Sequence, residues 1–407
     1  MSLVGSAIDK SQDLDCTADK CAASATQSLS SAGAVAVART ATAFEAIRGE
    51  WAKLETEVRG ASLFQSAAWA EAVFALEAAR LNAGFDPVIV SLRKDGKLIG
   101  LLPLERVRTK LRTVLMPLGN SFPQYCDALL LPGVPPRPAI AAMVTAALSH
   151  ARADVVLFLK VRADSALQAG MPKNHVVTAS SEAAPFVDLT PWADFEAYFS
   201  SIKSKTRKNM RNARNRLERE APLTHRIAAT PIEVASVIRR TLEGRADRLK
   251  DQGLTSRAFG SGEFARFCET LPGQNGLHIL AMSLRHGDKP IAEQWGFVHR
   301  GRYYAYVATR DFSLGEESPG KLHLAEVIET CFAKGLEAAD FLVPVMPYKM
   351  TWANGAMKVT DYALPATIKG WAVILFWDRL LRPTVKRLVL GLDPRMRARL
   401  MALVSRK

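Results

Sequence analysis

The chain has 407 residues, 48% of them hydrophobic, with 54 Lys and Arg against 40 Asp and Glu, a net charge of +14 and a sequence pI near 9.7. That length exceeds one ordinary core and fits two domains plus tails, while the charge favours polyanionic partners (nucleic acid, anionic lipid or a phosphorylated cofactor) without choosing among them. Cys16, Cys21, Cys126, Cys268 and Cys331 are too few and too scattered for a disulfide framework, no Cys or His spacing matches a metal set, and no run reaches membrane-span length, so a metal-free, cytoplasmic protein is expected.

Taken in order, residues 1–40 are rich in Ser, Ala and Thr and lack a basic region followed by an apolar one, which reads as a disordered tail and not an export signal. Residues 42–80 are helical in pattern, with Phe44, Ile47, Trp51 and Leu54 on one stripe and Trp69, Val73 and Leu76 on another. Ser62-Leu63-Phe64-Gln65-Ser66 breaks them. Residues 86–93 and 98–106 read as strands joined by Lys94-Asp95-Gly96-Lys97, a hairpin signal. An apolar segment at 129–136, a helix at 139–151 and a buried strand at 154–161 complete the half.

Residues 201–220 carry eight basic and two acidic residues. Met210, Ala213 and Leu217 share one helical stripe, and Lys203, Arg207, Arg211 and Arg214 another. Two readings stay open: the solvated face of a packed helix, or a clamp for the phosphates of a nucleotide-containing ligand or for an acidic acceptor. The run has no aromatics, which argues against stacking on single-stranded nucleic acid.

The second half then repeats the order of the first: a helix at 264–271 and strands at 277–284, 290–299 and 302–309. SLRKDGKLIG from Ser91 lies beside SLRHGDKPIA from Ser283, the same hairpin in each half, and an internal duplication explains it. Ser318, Pro319 and Gly320 open a helix with Leu324, Ile328 and Cys331 on one face and Gly335 at its end, and residues 340–344 read as a short buried strand. A helix that starts tight against a strand is a physical anion site. At the corresponding place the first half has Leu131-Pro132-Gly133-Val134-Pro135-Pro136, whose prolines remove donors, so the second half is the better candidate. Residues 370–407 are aromatic and basic, with Trp371, Phe376 and Trp377 before Arg379, Arg382, Lys386 and Arg387. This tail either contacts a membrane surface or packs on the protein's own second domain.

FQSAAWA at Phe64, SKTRKNMR at Ser204, AYVATRD at Ala305, SPGKL at Ser318, and DFL at Asp340 followed by YKMTWA at Tyr348 together resemble the GNAT acetyltransferase superfamily. The resemblance covers roughly residues 44–364 and is greatest to the duplicated CelD-like branch linked to cellulose or other exopolysaccharide synthesis. It implies a mixed α/β (α+β) fold of tandem GNAT-like domains, each a central mixed sheet flanked by helices: a degenerate one at 41–185 and one at 186–369 that holds acyl-CoA. Acetyl-CoA or another acyl-CoA would sit between the diverging strands 302–309 and 340–344, its pyrophosphate on Ser318, Pro319, Gly320 and Lys321. The superfamily's phosphate loop reads Gln or Arg, two residues, then GxG or GxA, and this chain has only Ser318-Pro319-Gly320 before Lys321.

Direct acyl transfer needs a deprotonated nucleophile, a polarised carbonyl and a proton for the leaving thiolate. Glu293, beside Trp295, is the candidate base, with an ion pair to a neighbouring cation as its other reading. Tyr304 and Tyr306 share a strand face and are candidate acids. Asp311 either orients the acceptor or caps a turn. Tyr348 and Lys349 lie past a strand end, where α/β sheets place ligands, and are expected contacts; Trp352 is read as contact or core, and His323 as peripheral. The expected function is acyl-CoA-dependent N- or O-acyl transfer to a sugar or small metabolite, in polysaccharide biosynthesis. The alternatives are a Fem-like aminoacyltransferase using aminoacyl-tRNA, the one reading with a nucleic-acid partner, and a non-catalytic accessory docked on a membrane synthase through residues 370–407.

Overall fold

The computed structural model describes residues 28–30, 33–79, 84–109, 112–120, 122–178, 182–251, 262–315 and 318–376. Two short strands come first, β1 (Ser28–Ser30) and β2 (Gly33–Ala38). Part of the expected tail is therefore sheet: Val35 and Val37 alternate with alanines, and both are buried against the next strand. Helix α1 (Ala41–Glu57) is capped by the Thr40 side chain, and α2 (Ala67–Ala79) restarts after a 3₁₀ turn at Leu63–Gln65. The hairpin β3 (Pro87–Lys94) and β4 (Lys97–Arg108) turns through Asp95 and Gly96, both with positive φ, as a two-residue loop requires. Next come β5 (Thr113–Pro117), β6 (Leu129–Leu130), α3 (Pro136–Ala151), β7 (Val155–Arg162), α4 (Ala166–Gly170) and β8 (Val176–Val177).

The second half runs β9 (Glu182–Asp188), α5 (Phe195–Ser201), α6 (Ser204–Glu218), β10 (Leu223–Ile227), α7 (Pro231–Asp251), α8 (Glu263–Thr270), β11 (His278–His286), β12 (Lys289–His299), β13 (Arg302–Arg310), α9 (Pro319–Ala333), β14 (Ala338–Asp340), α10 (Pro347–Trp352), β15 (Gly355–Pro365) and α11 (Ile368–Val373). The boundary expected between residues 185 and 186 falls inside β9.

All the strands join one mixed sheet, in the order β1-β2-β3-β4-β5-β7-β15-β9-β14-β13-β12-β11-β10, with β6 on β4 and β8 on β15. Each half has an antiparallel ladder that ends in a parallel pair, β5 with β7 and β13 with β14. The strand after each pair is exchanged: β15, from the end of the chain, pairs with β7 of the first half, while β9 pairs with β14 of the second. On one face of the sheet a single apolar core runs across both halves beneath α1, α2, α7 and α8, with Trp51, Trp69, Phe267 and Trp295 fully buried. On the other face, α3 covers the first half and α5, α6 and α9 cover the second. Helix α6 buries Met210, Ala213 and Leu217 and is tied to α9 by the ion pair of Arg214 with Glu326, so for Arg214 the packed-helix reading applies. The tail past residue 376 lies outside the described residues. Among the described residues no helix is long and apolar enough to cross a membrane.

Candidate active site

The two parallel pairs differ beyond their last shared residues. In the first half β5 and β7 pair only at Val114↔Val155 and Leu115↔Val156, and the gap beyond is closed by the chain itself: Cys126 bridges to Val161 and its N–H donates to the Lys160 carbonyl at 3.3 Å. In the second half β13 and β14 pair at Arg302↔Ala338, Tyr303↔Ala339 and Tyr304↔Asp340, after which β13 runs on to Arg310 beside β12 without β14. The strand expected at 340–344 thus ends at Asp340. There the Asp340 carboxylate accepts the Leu342 N–H at 2.9 Å, Leu342 takes a positive φ, and the chain turns out of the sheet.

A β-bulge sits opposite the gap. Trp295 faces Val307 and Gly296 faces Ala305, which leaves Tyr306 as the extra residue on β13. Glycine is needed at 296, since a Cβ there would stand 1.9 Å from the Tyr304 carbonyl oxygen.

The gap opens into a cleft of about 280 Å³ at the start of α9, with an adjoining inner lobe of about 80 Å³ beside residues 341–344. Ser318, Gly320 and Lys321 line the outer part, and Tyr348 lines both. Pro319 has no N–H, and the Lys321 N–H is bonded to the Ser318 carbonyl at 2.8 Å, which makes the Gly320 N–H the donor to look for at this end. Ser318 itself has a positive φ and its hydroxyl does not cap the helix, contrary to the N-cap expected from its type. Pro319 is buried and does not line the cleft.

His323 belongs to this wall and is not peripheral. It is 3% exposed, borders the Met282 main chain, and lines the outer cleft. Burial pushes its pKa down to about 3, so the imidazole is neutral.

The other candidates separate. Glu293 lines the cleft, but both carboxylate oxygens are held by Arg240 and one also by Ser283. Tyr304 is buried against Phe64, its pKa raised to about 12 by burial first and then by Asp340. Tyr306 borders the inner lobe, yet its hydroxyl donates to the Phe122 carbonyl at 2.8 Å. Asp311 caps a turn, accepting from the Ser313 N–H and hydroxyl, and pairs with Lys289; these contacts hold it at about 2. The Lys349 ammonium caps the carbonyls of Phe341, Leu342 and Pro344 at 2.7, 3.0 and 3.1 Å, and burial lowers its pKa to about 8. Trp352 is core. Tyr348 alone of these keeps an exposed ring; desolvation at the wall raises its pKa while Arg245, Arg248 and Arg310 oppose that rise.

Sequence reasoning missed those arginines, together with Phe312, whose ring lies 4.5 Å from the Arg248 guanidinium and 4.4 Å from that of Arg310. A signal was present. The buried stripe of α7, Val234, Val237, Ile238, Thr241 and Leu242, continues at the same spacing onto Arg245 and Arg248, so cations stand where the pattern calls for apolar residues. Asp340 was also missed; buried at the strand end, it accepts from the Tyr125 hydroxyl of the first half at 2.9 Å. Among the described residues no group of three metal-ligating side chains converges.

Comparison with known proteins agrees with this architecture. Residues 204–350 match the model of the acetyltransferase (GNAT) domain. No curated protein matches in sequence. Among solved structures, that of FemX superposes with a TM-score of 0.57 at 10% identity, covering 82% of this chain and 98% of that one. A tandem GNAT protein from the clavulanic acid biosynthesis pathway gives 0.46 at 13% identity, covering 82% and 99%. Residues 204–350, which hold the parted parallel strands and the cleft at the head of α9, are thus the part of the chain that is similar to the acetyltransferase (GNAT) domain.

Proposed function

We propose that the protein is an acyl-CoA-dependent acyltransferase that moves an acyl group, acetyl in the simplest case, directly to an amine or hydroxyl of a sugar or small metabolite. Exopolysaccharide assembly is the setting that the CelD-like resemblance favours. The observation that carries the reading is the gap between β13 and β14, opened beyond Tyr304 and leading to the start of α9. The residues there fit a nucleotide thioester: the Gly320 N–H and the Lys321 ammonium for phosphate, the neutral His323 ring on the same wall, and the inner lobe for the acyl end.

Acyl-CoA brings an activated thioester. The bulge at Tyr306 frees main-chain donors from regular pairing, and such a donor stabilises negative charge on a carbonyl oxygen as it develops. Tyr348, on the wall of both lobes, gives its proton to the departing thiolate. Glu293 is the one carboxylate lining the cleft among the described residues, and it takes the nucleophile's proton through water. Its grip by Arg240 and Ser283 fixes the carboxylate in place.

Calorimetric titration of acetyl-CoA into the full chain and into Gly320→Pro tests this. Proline is tolerated sterically in a first turn but removes the donor, so affinity should fall about tenfold, with Gly320→Ala as control for the Cβ, which would meet Arg310 Cδ at 2.9 Å. The Fem-like reading keeps one supporting observation, the exposed cations Lys205, Lys208 and Arg211 on α6 in a fold that superposes on FemX. Binding of aminoacyl-tRNA at physiological salt, with none of acetyl-CoA, would replace the first reading by that one.

A further inference from the structure

We propose that the acceptor carries a carboxylate or phosphate close to its nucleophile, and that Arg245 is the residue that receives it. The inference rests on the acyltransferase reading and deepens it.

Helices α7 and α9 lie on opposite faces of the sheet, their buried residues belonging to different cores. The donor groups of the site, Gly320, Lys321 and His323, all come from α9. In a direct transfer the nucleophile has to reach the carbonyl from a side that the leaving chain does not occupy. The open edge of β13 leaves the α7 face for that approach, and Arg245 stands on it.

Its position is built. Gly244 lets α7 close on β13, since a Cβ there would lie 2.5 Å from Thr309 Oγ1. The next residue therefore hangs over the stretch of β13 that has β12 on one side and no β14 partner on the other. Arg245 lines both the outer cleft and the inner lobe, whereas Lys321 and Arg248 line only the outer part, which puts Arg245 at the reacting end.

Two arginines of the same helix then contrast. Arg240 spends its guanidinium on Glu293. Arg245 has no carboxylate partner among the described residues, and the one carboxylate on the cleft wall is already taken. The other cation of the inner lobe, Lys349, is committed to three carbonyls. A planar guanidinium without a counterion, beside Gln294 and Tyr348, matches the paired oxygens of a carboxylate or phosphate.

The test uses the full chain saturated with CoA, titrated calorimetrically with sodium phosphate and with sodium acetate. One saturable anion site is expected, weakened at least about tenfold in Arg245→Gln and partly kept in Arg245→Lys, while CoA affinity in both variants stays within about twofold of the parent. The stronger of the two anions names the acceptor's group. If the CoA-saturated protein takes up neither anion, the proposal fails. It fails equally if Arg245→Gln loses CoA and anion together, since the residue would then serve the donor's phosphates. A chain that binds no CoA yet still takes up the anion through Arg245 sinks the acyl-CoA reading and leaves the anion site standing.

Discussion

Arg240 and Glu293 meet in a two-pronged ion pair, with Nε donating to Oε2 at 2.8 Å and Nη2 to Oε1 at 2.7 Å, and the Ser283 hydroxyl adds a third contact at 2.6 Å. The carboxylate is 4% exposed and the guanidinium 41%, so removing the arginine strands a buried charge. Arg240→Ala should cost about 1–3 kcal/mol, below the range for fully buried pairs because water screens the arginine. Glu293→Gln, which keeps hydrogen bonds and drops the charge, should cost less in stability and more in kcat. Urea melts of both variants check this; equal stability losses would show that charge burial is not the governing quantity.

Tyr348 and Tyr306 should separate by kinetics. Tyr348→Phe removes the proton donor proposed above and should lower kcat about a hundredfold or more with KM for acyl-CoA little changed. Tyr306→Phe breaks a bond to a main-chain carbonyl and should cost about 1 kcal/mol of stability, with kcat kept within a few-fold. The reverse ranking would move the acid from α10 to the bulge.

His323 makes a statement about acid stability. Its folded pKa of about 3 lies below the ordinary 6.5, so between these values the unfolded chain binds the proton and the folded chain does not. Its contribution is full above about pH 6.5 and is lost as pH falls towards 3. His323→Asn should flatten that part of the stability profile in melts at pH 7, 5.5 and 4.5. His299, also held low by burial at about 4, and His225, lowered by burial as well, contribute to the slope that remains.

Tyr125→Phe should loosen the seam between the halves. Its hydroxyl donates to both Asp340 oxygens, at 2.9 and 3.1 Å, and burial already raises the pKa of that carboxyl. A loss of about 1–3 kcal/mol is expected, with faster hydrogen exchange at the Leu342 amide. An unchanged exchange rate there would mean that the turn after β14 stands without the first half.

Much of the fold was legible because its signals are local. The Asp95-Gly96 turn, the α1 and α6 stripes and the Ser318-Pro319-Gly320 helix start are set by residues adjacent in sequence. The strand at 340–344 was misplaced because DFLVP has strand composition, while its end is set by a side-chain contact from Asp340 to the Leu342 N–H. The site was legible as a place and less so in its parts. Tyr348, Gly320 and Lys321 follow from position at the ends of elements. That Asp311 would hold Ser313 and Lys289, or Lys349 three carbonyls, depends on where side chains fold back, which spacing does not encode. The departure at Arg245 and Arg248 was visible as polar residues on a core stripe, the kind of local inconsistency that marks a functional surface.

The exchange of β15 and β9 bears on how the chain is made. A nascent chain that has emerged only as far as β8 cannot finish the ladder begun by β5 and β7, because the strand that flanks β7 is encoded near the far terminus. Until residue 365 clears the ribosome the early portion has an open edge, and release of the late portion closes both at once.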